Sequence, residues 1–110
     1  MALRLKSNPR RGGFIENYFV RNCRVKTAVT GIHMTMKYEK ISEGPAIPYI
    51  RNVDIRNVTF ENLKQGVFIE GLSESAKITD VAIVDCEFKN AKEPNTITNA
   101  ERVYIVQSGK

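Results

Sequence analysis

The sequence predicts an all-β chain wound as a parallel β-helix, a solenoid of stacked rungs, and three observations carry that prediction. First, an eleven-residue frame recurs at residues 15–25 (IENYFVRNCRV), 50–60 (IRNVDIRNVTF) and 78–88 (ITDVAIVDCEF). Second, apolar residues fill its first, fourth and sixth positions: Ile15/Tyr18/Val20, Ile50/Val53/Ile55 and Ile78/Val81/Ile83. Third, Asn or Asp returns at the third position (Asn17, Asn52, Asp80) and the eighth (Asn22, Asn57, Asp85). Self-similarity at a fixed frame is the mark of a repeat architecture, in which each unit buries its apolar face against the next.

Within each copy the apolar residues alternate over a few positions, which is the period of a strand. The Asx positions then bend the chain, since their short side chains bond nearby backbone and tolerate left-handed conformations. The eleventh position is again apolar (Val25, Phe60, Phe88). A second strand precedes each copy, at residues 2–6, 31–36 and 66–71. A fourth, weaker copy starts at Ala100, with Val103, Ile105 and Gln107 in frame. Intervals of 35, 28 and 22 residues between starts imply one structural unit joined by turns of variable length. A β-sandwich also has many short strands, but gives no reason for Asx at the same two positions three times.

Cys23 and Cys86 share the ninth frame position, with Val58 between them. On a solenoid they would be interior and two rungs apart, roughly 9–10 Å. That is too far for a disulfide, which needs Cα atoms within about 7 Å. Two free, buried thiols are therefore expected, with a disulfide as the rival reading for a secreted parent. One histidine and no close cysteine pair give no metal site, and no cofactor is expected.

At 110 residues the chain is one domain at most, and its 42% hydrophobic and 26% charged residues argue against disorder. No apolar run approaches the ~20 residues of a membrane-spanning helix, so no membrane partner is expected. The net charge of +5 is concentrated: residues 1–26 hold seven basic side chains against Glu16 alone. Such a cluster suits an anionic ligand. Nucleic acid is disfavoured, because aromatics are only 8% and are not interleaved with the basic cluster as stacking platforms.

Arg4-Leu5-Lys6-Ser7, followed by Arg11-Gly12-Gly13 and the frame at Ile15, closely resembles polygalacturonases, family 28 of the glycoside hydrolases. Gly31 to Tyr38, the Pro-bearing loop at residues 43–49 and Gly71-Leu72-Ser73 match that family's layout in order. The resemblance implies a right-handed parallel β-helix, here about three full rungs and a partial fourth. It implies inverting hydrolysis of α-1,4-galacturonosyl bonds by the parent enzyme. It also implies substrate-binding roles for Arg4 and Lys6, which end a strand beside the cleft, and for the cleft tyrosine, Tyr38. Two residues apart on a strand, Arg4 and Lys6 project from one face, and a guanidinium with an ammonium suits the carboxylate of polygalacturonate or a related acidic pectic oligosaccharide. Leu5 should point the other way. Gly12 and Gly13 read as a tight turn. His33 lies outside the family's Gly-His-Gly context, so no role is carried over to it.

The family draws its acid and base carboxylates from segments upstream of Arg-x-Lys. The chain therefore reads as one partial domain, residues 1–110, from the C-terminal half of such an enzyme. It retains substrate-binding residues but no catalytic ones, and is expected to be inactive alone. The alternative is a non-catalytic carbohydrate-binding or structural β-helix segment. In either case the first rung should present an open sheet edge, and self-association through it is expected.

Overall fold

A computed structural model describes residues 3–107 and shows an all-β chain. Seven strands follow in order: β1 (Leu3–Lys6), β2 (Phe14–Thr35), β3 (Tyr49–Glu70), β4 (Ile78–Val84), β5 (Glu87–Phe88), β6 (Thr96–Thr98) and β7 (Ala100–Val106). A single 3-10 turn, Tyr38–Lys40, interrupts them. The sheet runs β1-β2-β3-β4-β7, with β5 and β6 also paired to β3. All of these pairings are parallel, as a β-helix requires. Ala2, expected to open the first strand, lies outside the described residues.

The register follows the repeat. Ile15 faces Ile50, Tyr18 faces Val53 and Val20 faces Ile55; Val53 then faces Val81, and Ile55 faces Ile83. The fourth copy continues it, with Ile78 opposite Ala100 and Val81 opposite Val103. The separate strands expected on either side of each bend are joined: β2 and β3 stay paired from Phe14–Tyr49 to Thr35–Glu70. The corners are turned inside the ladder by left-handed residues. Asn17, Asn22, Asn52, Asn57, Asp80 and Asp85 all have φ between 54° and 61°, the Asx positions of the frame. Asn tolerates this conformation because its side chain is short and can bond locally. Here the side chains also bond between strands, Asn52 Nδ2 donating to Asn17 Oδ1 at 2.6 Å and Asn57 Nδ2 to Asn22 Oδ1 at 2.7 Å.

Inward side chains form columns. Ile50, Val53, Ile55, Val58, Phe60, Ile78, Val81 and Ile83 are essentially inaccessible. The eleventh-position rings of Phe60 and Phe88 stack at 5.2 Å and 5°. Room for them comes from a facing glycine column: a Cβ on Gly31 would stand 3.1 Å from the Phe60 ring, and one on Gly66 3.2 Å from that of Phe88.

The ends of these columns are less covered, and this corrects the expectation of two buried thiols. Both cysteines are free, but Cys86 is buried and Cys23 exposed. Cys23 does stack on Val58, yet among the described strands nothing pairs with the other edge of β2 along residues 14–30. A frame position alone does not bury a side chain; a strand on each side does. Burial pushes the Cys86 thiol above its ordinary pKa, which disfavours the reactive thiolate.

The column model makes Phe60→Ala cost about 3–5 kcal/mol, the range for an emptied aromatic core site. Val29→Thr, at a position 71% exposed, should stay within about 0.5 kcal/mol. Urea denaturation of both variants checks this; similar losses would contradict the interior assigned to Phe60.

Candidate functional site

The segment between β1 and β2 is a polar turn organised by two buried residues, Ser7 and Asn8. Asn8 Oδ1 accepts from the backbone N–H groups of Arg10 and Arg11 at 2.9 and 3.0 Å, and Ser7 Oγ donates to the Gly12 carbonyl at 2.9 Å. Gly12 and Gly13 close the turn with φ of 62° and 86°, values that glycine adopts without steric cost. The same two polar residues anchor the 3-10 turn. Tyr38 N–H donates to the Ser7 carbonyl at 3.0 Å, and Asn8 Nδ2 to the Tyr38 carbonyl at 3.2 Å. Asn8 thus fixes Arg11 and Tyr38 together.

Three cations converge on the Tyr38 ring. Lys6 Nζ lies 4.3 Å from its centroid, and the guanidinium carbons of Arg11 and Arg4 lie 5.0 and 5.8 Å away. Lys6 Nζ also donates to Tyr38 Oη at 3.2 Å. Arg4, Lys6 and Tyr38, singled out in the sequence, are therefore one cluster, and Arg11 joins them. Leu5 is buried on the opposite face, as strand alternation requires.

Most of the other arginines on the surface are held by acids, although among the described residues lysines such as Lys26 and Lys89 are not. Arg21 and Arg56 pair with Asp54, Arg24 with Glu61, Arg51 with Glu16 and Arg102 with Asp80. Arg56 above all holds the Asp54 carboxyl below its usual pKa, and Arg102 does the same to Asp80. Among the described residues Arg4, Lys6 and Arg11 make no ion pair. Pointing unneutralised charges at one ring raises the local positive potential, the condition for holding an anion.

The outer face beside this cluster is laid out by register. Arg4 faces His33, and His33 faces Phe68; Lys6 faces Thr35, and Thr35 faces Glu70. Arg4, His33, Thr35, Tyr38, Phe68 and Glu70 line an open groove of about 440 Å³, rimmed by Lys37, Glu39 and Lys40. His33 meets Phe68 edge-to-face at 5.0 Å, and Thr35 Oγ1 donates to Glu70 Oε1 at 2.8 Å. The sequence reading passed over Asn8, Phe68 and Glu70, although stepping 35 residues on from His33 and Thr35 leads to the latter two. Asp54, Asp80 and Asp85 are not among the residues that line this groove. Among the described residues no cluster of three or more His, Cys, Asp or Glu is placed to hold a metal ion.

No protein-family model matches the chain, and no solved structure matches it. Among curated proteins, one from Vitis vinifera described as a probable polygalacturonase is similar to it. The two are 27% identical over 93% of this chain and 22% of the relative's length, so the chain spans under a quarter of that protein. The similarity supports a polygalacturonase-like relationship.

Burial first, and then the Arg4 guanidinium, hold the His33 imidazole below its ordinary pKa against an opposing pull from Glu70. The unfolded chain protonates His33 near pH ~6.5, the folded chain only lower. Between those values the unfolded state binds more protons, so stability should fall as pH drops through that window and level off beneath it. His33→Gln should flatten this slope in urea titrations run from about pH 7.5 down to about pH 5. A slope unchanged in the variant would assign it to other groups.

Proposed function

We propose that this chain forms part of a pectin-degrading glycoside hydrolase of polygalacturonase type, and that its task there is to grip the carboxylate of a galacturonate unit. The observation that carries the proposal is the set of three cations without acidic partners gathered around the Tyr38 ring. Arg4 offers a planar fork that matches a carboxylate bidentately, while Lys6 adds a point charge. Tyr38 Oη, already accepting from Lys6, stays able to donate to a sugar hydroxyl or ring oxygen. Arg11 adds charge from the glycine turn.

The fold that suits this role is a right-handed parallel β-helix of about three full rungs and a partial fourth, one partial domain over residues 1–110. Parallel connections within a sheet are overwhelmingly right-handed. Inverting hydrolysis of the α-1,4 bond needs one carboxylic acid to protonate the leaving oxygen and a carboxylate opposite to activate water, roughly 6.5–9.5 Å apart. In this proposal those acids come from segments other than these residues. The chain supplies orientation: holding the uronate carboxylate fixes the ring relative to the acids, which is how positioning lowers a barrier.

Binding of oligogalacturonate, measured by calorimetry, should weaken about 10- to 150-fold in Arg4→Ala or Lys6→Ala, the worth of one charge-assisted hydrogen bond at roughly 1.5–3 kcal/mol. The fully methyl-esterified oligomer should be far less sensitive, its carboxylates being masked. Equal losses on both ligands would point to damaged folding and against carboxylate recognition.

On polygalacturonate the chain alone should release no reducing ends. Release that disappears in Glu70→Gln or Glu39→Gln would instead make a groove carboxylate the catalytic acid.

A further inference from the structure

The groove borders the cationic cluster through Arg4 and Tyr38, is flanked by Lys37, Glu39 and Lys40, and at Phe68 and Glu70 has features that the cluster does not explain. Phe68 and Glu70 lie two apart on β3 and so project from the same face. Phe68 is only partly buried, and its ring orientation is set by the edge-to-face contact with His33. Glu70 is held by a short relay: Lys37 N–H donates to Thr35 Oγ1 at 2.9 Å, and Thr35 Oγ1 donates to Glu70 Oε1 at 2.8 Å. Thr35 is itself buried, so this arrangement is part of the fold. It commits one carboxylate oxygen; Oε2 makes no hydrogen bond among the described residues and remains an acceptor for the groove.

We infer that the Phe68–Glu70 half of the groove takes an uncharged glycosyl unit next to the uronate gripped by Arg4 and Lys6, so that the site selects a chain whose charge is interrupted. This rests on the carboxylate-gripping role proposed above. Phe68 offers an apolar platform to the C–H face of a sugar ring. Glu70 Oε2 accepts from a ring hydroxyl, and an ionised carboxylate there repels a second uronate. A site that places like charge against the wrong ligand gains selectivity without extra contacts to the right one. Glu70 lies two strands from Lys6 in the same register column, roughly 9–10 Å away across the ladder. That separation lets the two halves address neighbouring sugar units. His33 joins the halves, feeling Arg4 and Glu70 with opposite sign. An uncharged unit has two chemical sources, a neutral deoxyhexose alternating with galacturonate, or a galacturonate masked as its methyl ester.

The test compares three trisaccharides by calorimetry on the 110-residue chain near pH 7. They are the all-acid trimer, the trimer methyl-esterified on its central unit only, and one with a neutral deoxyhexose at the centre. Both uncharged-centre ligands, or the one of the correct source, should bind tighter than the all-acid trimer. Glu70→Gln should shrink that preference about three- to tenfold by removing the repulsion while keeping a hydrogen-bonding group. Phe68→Leu should weaken the preferred ligand about two- to tenfold, with circular dichroism establishing that both variants fold. A wild-type preference for the all-acid trimer, or a preference unmoved by Glu70→Gln, overturns the inference. Arg4→Ala separates the two readings. If it weakens all three ligands while Glu70→Gln changes nothing, uronate gripping stands and selection by Glu70 falls. If it weakens none of them, both fall.

Discussion

A parallel ladder of backbone hydrogen bonds that turns corners without breaking needs residues that reverse the local twist and keep their N–H and C=O groups pointing at the neighbouring strands. In this chain the left-handed residues at the third and eighth frame positions meet that requirement. A left-handed residue with a Cβ costs roughly 1–2 kcal/mol in general. Asparagine lowers that cost, and the side-chain bonds between Asn17 and Asn52 and between Asn22 and Asn57 offset part of the rest. Where the fourth copy puts Arg102 at the third position, with φ of 53°, a different device appears: its guanidinium grips both oxygens of Asp80, at 2.6 and 3.1 Å.

Once the corners are fixed at equivalent places, the rest follows. Every inward residue meets its counterpart, which allows columns such as Phe60 on Phe88 beside Gly31 and Gly66. Every outward residue also meets its counterpart, and this is what composes the groove and the cationic cluster beside it: Arg4, His33 and Phe68 in one column, Lys6, Thr35 and Glu70 in the next. The proposed ligand would therefore lie across strands whose order is set by the corners. Tyr38 with its neighbours Lys37, Glu39 and Lys40, and Arg11, reach the site from turns, and the buried pair Ser7 and Asn8 ties those turns together.

The all-β chain and its parallel register were legible because the repeat writes the same chemistry at the same places; the alternation of Ile50, Val53 and Ile55 is enough to say which face is inside. The convergence of Arg4 and Lys6 was legible from strand parity alone. The opposition of Arg4 to His33 was not, because β1 pairs with β2 at an offset that belongs to none of the three repeat intervals. Phe68 and Glu70 could have been found by applying the 35-residue interval to outward residues as well as inward ones. Asn8 gave a weaker signal, an Asx-Pro pair in a turn. Cys23 shows the limit of pattern: it has the frame position of a core residue, but burial depends on what lies beyond the last paired strand.

The three copies of the ladder, residues 15–35, 50–70 and 78–98, share one length and one register, although the third is interrupted into β4, β5 and β6, and what joins them varies: residues 36–49, 71–77 and the single residue Asn99. The register is blind to those lengths. The longest joint carries Tyr38 and the groove rim, and the shortest has no room for either. Insertions and deletions are thus partitioned by the architecture. Within a copy, one added residue moves every later side chain to the wrong face, whereas at a joint the same change leaves the core as it was and reshapes the rim. Lineages descending from such a chain can diversify what they hold while their interiors stay nearly unchanged, and the joints are where that history should be written.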